Sequence, residues 1–392
     1  MYKLANDTWD KEEYQAIQDV IASNQFSMSK KVSEFEIASA KKFNSNYSVM
    51  VNSGSSANLL MIAALFYKKE NPLKRGDEVI VPAVSWSTTY APLQQFGLKV
   101  KFIDIDIKTL NFNLDDLKSA ISENTRAILC VNLLGNPNNF DIINSLIEDK
   151  DICLLEDNCE SMGSSFSGKN SGTFGLMGTF STFYSHHIST MEGGFVLTDD
   201  QELYEIMLCL RAHGWTRNLP DINHVTGTKS KDWFEESFKF VLPGFNLRPL
   251  ELSGAIGVKQ LEKLDNFVEI RRKNAILFKD ILSNFDWIDT QLETGNSSWF
   301  GFSLILNSKC KVTRSYVLEV LSESNIEFRP IVTGNFTKNK SLLEYFNYEI
   351  PFPLTNSENL ENNGFFIGNS HIDLSKEMNF LKIALRSVAD TF

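Results

Sequence analysis

The chain has 392 residues, of which 43% are hydrophobic and 22% are charged. This composition is close to that of ordinary globular proteins, and the length favours about two domains. The net charge of −11 argues against nucleic acid or an anionic membrane as a partner. The N-terminus lacks a signal-peptide pattern, and no apolar run is long enough to span a membrane. Five cysteines fall singly along the chain, so we expect a reduced, cytoplasmic protein.

The N-terminal part of the chain alternates between helical and strand-like segments. A helix is predicted over 11–23, and a strand over 47–51 ends at a glycine–serine turn that opens an amphipathic helix. Four short apolar runs follow, in GDEVIVPAVSW, KVKFIDID, TRAILCVNLLG and DICLLEDN, separated by helical or turn-rich sequence. This pattern predicts an α/β fold with a mostly parallel, buried sheet. Ligands of such sheets bind at the carboxyl ends of the strands, where Ser53, Trp86 and Asp157 lie.

The alternation of short helical and strand-like segments ends near Arg248. A long helical segment, PLELSGAIGVKQLEKLDNFVEIRRKNAILFKDIL, leads to SWFGFSLIL, to a second helical stretch and to IEFRPIVTG. These later segments predict a small α+β unit. We therefore expect a large domain over 1–250 and a smaller C-terminal α+β domain over 251–392.

The first helix of the sheet region begins with residues that suit a phosphorylated ligand. Gly54, Ser55 and Ser56 open this helix, so free N–H groups and the positive end of the helix dipole converge at one point. Ser181 would add a hydroxyl group from another segment. A glycine–serine start is also an ordinary N-cap, and for these residues considered alone both interpretations stay open.

Longer motifs identify a family. They are FSTFYSHHISTMEGG over 180–194, DNCES over 157–161, PAVSWSTTYAP around Trp86 and LPGFNLRPLELSGAIG around Asn246. Together they resemble the nucleotide-sugar aminotransferase/dehydratase family of fold-type-I enzymes, which use pyridoxal phosphate (PLP). The resemblance covers essentially the whole chain. It implies a large domain with a mostly parallel seven-stranded sheet, and a homodimer with shared active sites.

The resemblance also implies cofactor contacts. Asp157 would hold the pyridine nitrogen protonated, Trp86 would stack on the ring, and Asn246 would reach the phosphate of the neighbouring subunit's cofactor. For Asp157 and Trp86 considered alone, a turn aspartate and a core tryptophan are the alternatives. The remaining implied contacts are the phosphate-binding group of Gly54, Ser55, Ser56 and Ser181, and Glu160 of the DNCES motif.

One position departs from the aminotransferases of this family. Those enzymes carry PLP as a Schiff base on a lysine six residues before the Glu-Gly-Gly motif, whereas position 186 of this chain is histidine. An imidazole cannot form that imine, but it can transfer protons near neutral pH. The resemblance therefore implies non-covalent PLP that cycles with pyridoxamine phosphate (PMP), with His186 as the base. Adjacent side chains of an extended segment point to opposite sides, and the offset from Glu192 selects His186 rather than His187.

The family pattern also implies substrates. They are a GDP-linked 4-keto-6-deoxy sugar, which loses its C3 hydroxyl group, and L-glutamate, which supplies the amine. His213 is a second catalytic candidate, although it could instead be a helix-terminal histidine. Arg217 is a candidate for the sugar diphosphate. Arg248 could bind a substrate carboxylate or form a structural salt bridge.

Three other functions are alternatives to this one. A CDP-sugar 3-dehydrase with an iron–sulfur cluster needs about four clustered thiolates, and the chain has no C-x₂-C or C-x₄-C pair. A lysine-dependent aminotransferase needs another lysine near the cofactor, and Lys229, Lys231 and Lys239 lie too far along the chain for the sequence to place them there. A catalytically dead PLP-binding protein is the non-enzyme alternative, against which the intact cofactor motifs weigh. No metal site is expected.

Overall fold

The protein is described here by a computed structural model that covers residues 1–392. Its α-helices are α1 (Lys11–Ser23), α2 (Lys30–Phe43), α3 (Gly54–Leu65), α4 (Ser87–Gln95), α5 (Leu114–Ala120), α6 (Phe140–Ile147), α7 (Gln201–Arg211), α8 (Trp233–Ser237), α9 (Glu251–Leu282), α10 (Arg314–Glu323), α11 (Lys340–Leu343), α12 (Thr355–Asn363) and α13 (Ser375–Ala389). Short 3₁₀ helices occupy Leu133–Gly135, Thr216–Asn218 and Phe336–Lys338.

The strands are β1 (Tyr47–Val51), β2 (Glu78–Pro82), β3 (Lys99–Ile103), β4 (Thr125–Val131), β5 (Cys153–Asp157), β6 (Ser165–Phe166), β7 (Lys169–Asn170), β8 (Met177–Ser181), β9 (Gly194–Thr198), β10 (Ile222–Asn223), β11 (Gly227–Thr228), β12 (Ile288–Asp289), β13 (Gly301–Leu306), β14 (Phe328–Arg329), β15 (Tyr348–Glu349) and β16 (Gly364–Gly368). The predicted helix over 11–23 and the predicted strand over 47–51 are confirmed residue for residue.

The main sheet has the order β1-β9-β8-β5-β4-β2-β3-β15. All pairs from β8 to β15 are parallel, and β9 is antiparallel to both of its neighbours. The mostly parallel α/β sheet that the sequence predicted is therefore confirmed. Seven strands form its body, and the two-residue β15 adds an eighth at the edge of β3. Because β9 runs opposite to β1 and β8, the carboxyl ends of β1, β2, β5 and β8 meet at one edge.

Helix α3 crosses the centre of the large domain. The sequence predicted an amphipathic helix, but α3 is buried on nearly every side, with Leu60 to Ala64 fully inaccessible. It packs against α4, α7, β8 and β9. A helix that is apolar all round belongs in a core, and this position fixes its N-terminus at the carboxyl edge of the sheet.

The C-terminal part forms a second, antiparallel sheet in the order β12-β13-β16-β14. Its apolar core also contains Tyr2, whose hydroxyl group donates to the Gly368 carbonyl at 2.8 Å. In the opposite direction, Phe336 and Leu343 pack into the core of the large domain. The helix α9 connects the two parts, as the sequence predicted. Each part thus contributes side chains to the core of the other, which holds the two parts together. The domain boundary at 250/251 stays a prediction.

Candidate active site

A cavity of about 610 Å³ opens at the carboxyl edge of the main sheet. Its walls include seven of the residues that the sequence singled out, namely Gly54, Ser55, Trp86, Asp157, Glu160, Ser181 and His186. Residues of the C-terminal part close the other side, namely Phe300, Arg329, Pro330, Val332 and Phe366. The site therefore lies between the two cores.

The N-terminus of α3 forms one end of the cavity. The Ser53 hydroxyl group caps the helix by accepting from the Ser56 N–H at 3.0 Å, and the N–H groups of Gly54 and Ser55 have no acceptor within the chain. A Cβ on Gly54 would lie 2.6 Å from the Cβ of Ser181, so only glycine allows this approach. Two free N–H groups at a helix N-terminus, with hydroxyl groups beside them, are suited to a phosphate.

The hydroxyl groups of this cradle come from three segments. Ser55 Oγ lies 2.7 Å from Thr88 Oγ1, and Ser181 Oγ lies beside Gly54. Ser56, which the sequence placed in the same group, turns away: its hydroxyl group donates to Asn52 Oδ1 at 2.6 Å, and it does not line the cavity. Thr88 was not singled out from the sequence, because a threonine in the first turn of a helix has no distinctive pattern.

Asp157 is buried at the end of β5 and is held by three donors. Its Oδ2 accepts from Asn58 Nδ2 at 2.9 Å and from Thr89 Oγ1 at 2.8 Å, and its Oδ1 accepts from the Cys159 N–H at 3.1 Å. The Thr179 hydroxyl group donates to Asn58 Oδ1 at 2.7 Å, which turns the amide N–H₂ of Asn58 toward the carboxylate. Such a network fixes the direction of the Asp157 oxygens and leaves Oδ1 able to accept a further N–H group.

Two carboxyl groups flank Asp157 along the chain. Glu156 faces away from the cavity and accepts from the backbone N–H groups of Gly172, Phe174 and Gly175. Glu160 lines the cavity and accepts from the Leu134 N–H at 3.0 Å. Burial raises the pKa of Glu160 to about 7, so this group titrates near neutral pH.

His186 faces the cavity with its tautomer fixed. Its Nδ1 lies 2.6 Å from the Cys159 carbonyl oxygen, which can only accept, so Nδ1 carries the proton and Nε2 keeps a free lone pair. Burial lowers the pKa of the imidazole to about 4; Arg271 also lowers it, while the Cys159 carbonyl and Asp157 act in the opposite direction. At neutral pH the side chain is therefore an uncharged proton acceptor. Phe300 packs on its ring at 5.1 Å between centroids.

His187 points to the other side. The segment is a turn and bend over 184–188 rather than the extended stretch that the sequence predicted, with the His186 N–H donating to the Phe183 carbonyl at 2.9 Å. It is fully buried, and its Nε2 lies 3.2 Å from the Ser298 carbonyl oxygen. Its Nδ1 has no hydrogen-bond partner. Only His186 of the two lines the cavity, so the geometry favours the residue that the offset from Glu192 selected.

Four further candidates do not line the cavity of their own protomer, namely His213, Arg217, Asn246 and Arg248. His213 is exposed in the turn after α7, with a φ of 64°. The Arg217 guanidinium lies 4.9 Å from the ring of Trp215. Arg248 Nε donates to Asn246 Oδ1 at 3.0 Å, so these two candidates pair with each other rather than with an acid. Their roles stay predictions.

The cavity also contains residues that sequence reasoning missed. Asn58 and Thr89 hold Asp157, and Arg329 is the one lysine or arginine side chain in the lining. Asn58 lies four residues after Gly54 on α3, one helical turn on, which is a signal that could have been used. Arg329 offered no such signal, because contacts between distant segments depend on the fold.

The donor groups of the cavity match the parts of PLP. A helix N-terminus with free N–H groups fits the phosphate, a buried and oriented carboxylate fits the pyridine nitrogen, and Trp86, 57% exposed, offers an aromatic face. No lysine lines the cavity; in particular, Lys229, Lys231 and Lys239 lie outside it. The residues therefore fit PLP held without a covalent bond.

A profile of the DegT/DnrJ/EryC1/StrS aminotransferase family matches residues 7–377. The chain belongs to this family. It is 62% identical, over 96% of both chains, to GDP-4-keto-6-deoxy-D-mannose 3-dehydratase of Yersinia pseudotuberculosis. It is also similar to two solved structures of GDP-4-keto-6-deoxymannose-3-dehydratase, each 60% identical with a TM-score of 0.97, covering 98% of this chain and 100% of the other. One is a mutant with bound GDP-perosamine, and the other holds a trapped PLP-glutamate geminal diamine.

Two further observations concern the whole molecule. None of the helices combines the length and the apolar character that crossing a lipid bilayer requires. No three histidine, cysteine, aspartate or glutamate side chains are grouped so that they could hold a metal ion, and all five cysteines are free.

Proposed function

We propose that this protein is a PLP-dependent GDP-4-keto-6-deoxy-D-mannose 3-dehydratase. It removes the C3 hydroxyl group to give GDP-4-keto-3,6-dideoxy-D-mannose, while L-glutamate supplies the amine and 2-oxoglutarate and ammonia are released. The observation that carries the proposal is His186, a neutral base in a PLP-shaped cavity that has no lysine. The 62% identity to a 3-dehydratase supports the same reaction.

The bound cofactor, cycling between PLP and PMP, would supply an electron sink that stabilises negative charge on the carbon next to the amine. Asp157 would keep a proton on the ring nitrogen, since its free lone pair belongs to a carboxylate already oriented by Asn58 and Thr89. Gly54, Ser55 and Ser181 would bind the phosphate through N–H and O–H groups. Trp86 would cover one face of the ring and exclude water.

His186 would carry the proton transfers. Its Nε2 would take a proton from the cofactor carbon that bears the amine, because Nδ1 is committed to the Cys159 carbonyl. The imidazolium that results is a strong acid, since burial disfavours its charge, and it would return the proton to the departing C3 oxygen. Glu160, with a pKa of about 7, would contact the cofactor from the loop that follows β5.

The active form would be a homodimer with shared sites. Asn246 is exposed and lies outside the cavity of its own protomer, which suits a contact with the neighbouring subunit's cofactor phosphate. The nearby helix α8 has no buried residue, and Trp233, Phe234 and Phe238 are each more than 70% exposed. Large exposed apolar side chains in one stretch favour a protein interface. In this arrangement His213, Arg217 and Arg248 would serve a site that both subunits build.

We propose that the protein works in the cytoplasm. Five unpaired cysteines suit the reducing cytoplasm. A 3,6-dideoxy sugar linked to GDP would supply colitose for the O-antigen of lipopolysaccharide.

The test is to incubate the purified protein with PLP, L-glutamate and a panel of nucleotide-linked 4-keto-6-deoxy sugars. We expect continued formation of 2-oxoglutarate and ammonia in equal amounts only with the GDP-linked sugar, and a product that keeps its ketone. An aminotransferase would instead retain the nitrogen on the sugar and release no ammonia. A dead PLP-binding protein would release neither product.

A further inference from the structure

We propose that Arg329 binds the side-chain carboxylate of L-glutamate and thereby selects glutamate as the amine donor. This inference rests on the proposed function, because it assigns a residue to one of that reaction's two substrates.

The first observation is the charge of the cavity. Three carboxyl groups line it, from Asp157, Glu160 and Glu192, whereas His186 is uncharged and Arg329 is the only cation. Glutamate enters with two carboxylates, which this lining would repel if no positive group opposed it. The Arg329 guanidinium is therefore the one charged side chain in the protomer's cavity that can attract the donor.

The second observation is that Arg329 has no acidic partner. Its Nη1 donates to the Phe328 carbonyl at 2.8 Å, and no carboxylate lies within 4.0 Å. The hydrogen bond to Phe328 uses Nη1 and leaves the edge formed by Nε and Nη2 free. That edge matches the two oxygens of a carboxylate.

The third observation is the position of Arg329 relative to the reacting groups. It lies at the exposed rim of the cavity on β14, next to Phe366 of β16, with which it pairs across the small sheet. In glutamate the α-carboxylate is attached directly to the reacting carbon, whereas the side-chain carboxylate lies three bonds from that carbon. Pro330, Val332 and Phe366 beside Arg329 offer an apolar surface for the intervening methylene groups. The rim position therefore matches the outer carboxylate.

The sugar diphosphate is the competing ligand. It carries its charge on two phosphates, and the protomer's cavity has one cation. A second cavity, of about 560 Å³, shares Arg329, Pro330 and Val332 with the first, so a nucleotide could pass this residue. One guanidinium matches one carboxylate more closely than it matches a diphosphate, and the experiment separates the two.

The experiment compares Arg329→Gln and Arg329→Lys with the parent enzyme loaded with PLP. The kcat/KM of the amination half-reaction is measured with L-glutamate and with L-glutamine, and the KM for the GDP sugar is measured separately. We expect Arg329→Gln to lower kcat/KM for glutamate about 10- to 150-fold, and to remove most of the preference over glutamine. Arg329→Lys should restore part of the loss. Arg386→Gln, an exposed arginine of α13 without an ion pair, is the matched control.

Two results would overturn the inference. One is an equal loss with both donors, which would point to the α-carboxylate or to a structural role. The other is a raised KM for the GDP sugar with unchanged use of glutamate, which would assign Arg329 to the diphosphate. Calorimetric binding of glutarate gives a readout without turnover, and we expect Arg329→Gln to weaken it about tenfold or more. Glutarate binding through Arg329 in a protein that processes no GDP sugar would refute the proposed function alone.

Discussion

The two walls of the cavity differ in how their side chains are held. On the wall from the main sheet, Asp157 accepts three hydrogen bonds, and His186 has its Nδ1 fixed by a backbone carbonyl. On the wall from the small sheet, Phe300, Val332 and Phe366 are apolar, and Arg329 makes one hydrogen bond to its own strand. The first wall is preorganised and the second is adaptable.

This difference suits the two kinds of ligand that the reaction needs. A cofactor that stays in the site through every cycle gains from rigid, oriented partners, because no reorganisation is needed at each turnover. Glutamate and a nucleotide sugar must each enter and leave, so an apolar surface with one charged side chain, Arg329, suits both. We therefore expect the chemistry to depend on the first wall and the choice of substrate on the second.

The largest effect is expected from His186→Lys. The lysine would form a covalent imine with PLP, and the neutral base at Nε2 would be lost, so dehydration should fall by at least about 10²- to 10⁴-fold. The measurement is ammonia release, together with the absorption spectrum and borohydride trapping of the PLP–protein adduct. The parent protein should show no trapped adduct.

Two results would contradict this view of His186. A labelled lysine in the parent protein would mean that PLP is bound covalently after all. A lysine variant that dehydrates at the parent rate would show that His186 is not the base.

Asp157→Asn should have the next largest effect. An amide cannot stabilise a protonated pyridine nitrogen, and losing a hydrogen bond to a charged group costs about 1.5–3 kcal/mol, or about 10- to 150-fold in rate. Glu156→Gln is the matched control, because Glu156 is also a buried carboxylate but accepts only from the 172–175 backbone and the Asn132 amide. We expect the control to lower stability while kcat/KM at a permissive temperature changes little. Equal losses of activity in both variants would refute the role of Asp157.

The pH dependence should follow the lowered pKa of His186. The neutral imidazole is the active form, so kcat/KM should hold as the pH falls through 6.5, the ordinary histidine value, and decline only toward the folded-state pKa of about 4. Ionisation of Glu160, with its pKa of about 7, should give a separate, smaller change. The profile is compared with that of Glu160→Gln, which should lack the change near neutrality. An acid limb at pH 6.5 in both proteins would mean that His186 is not desolvated during catalysis.

The sequence predicted more of the residues that line the first wall than of those that line the second. Gly54, Asp157 and Ser181 lie at a helix start or at the ends of short strands, where local pattern and family motif agree. His186 lies in the bend between β8 and β9, where the family motif alone identified it, and the structure brings all four together. Ser56 shows the limit of a motif, because one turn of a helix cannot present three consecutive residues to the same ligand. Arg329 and Phe300 were missed since their approach depends on how the small sheet packs against the large one.

The smallest effect on catalysis is expected from His187→Gln. His187 is one residue from the base, yet its ring is buried behind the cavity with Nδ1 unpaired, and burial together with Arg271 holds its pKa below the usual range. Glutamine can keep a hydrogen bond to the Ser298 carbonyl but fills the space less well, so we expect destabilisation of about 1–3 kcal/mol. At a temperature where both proteins are folded, kcat/KM should stay within about threefold of the parent, because no proton passes through this side chain. Denaturant unfolding and ammonia release measure the two quantities. A loss of activity as large as that of His186→Lys, in a protein as stable as the parent, would show that His187 is the base. The contrast between the two walls, which has His186 as the base, would then be wrong.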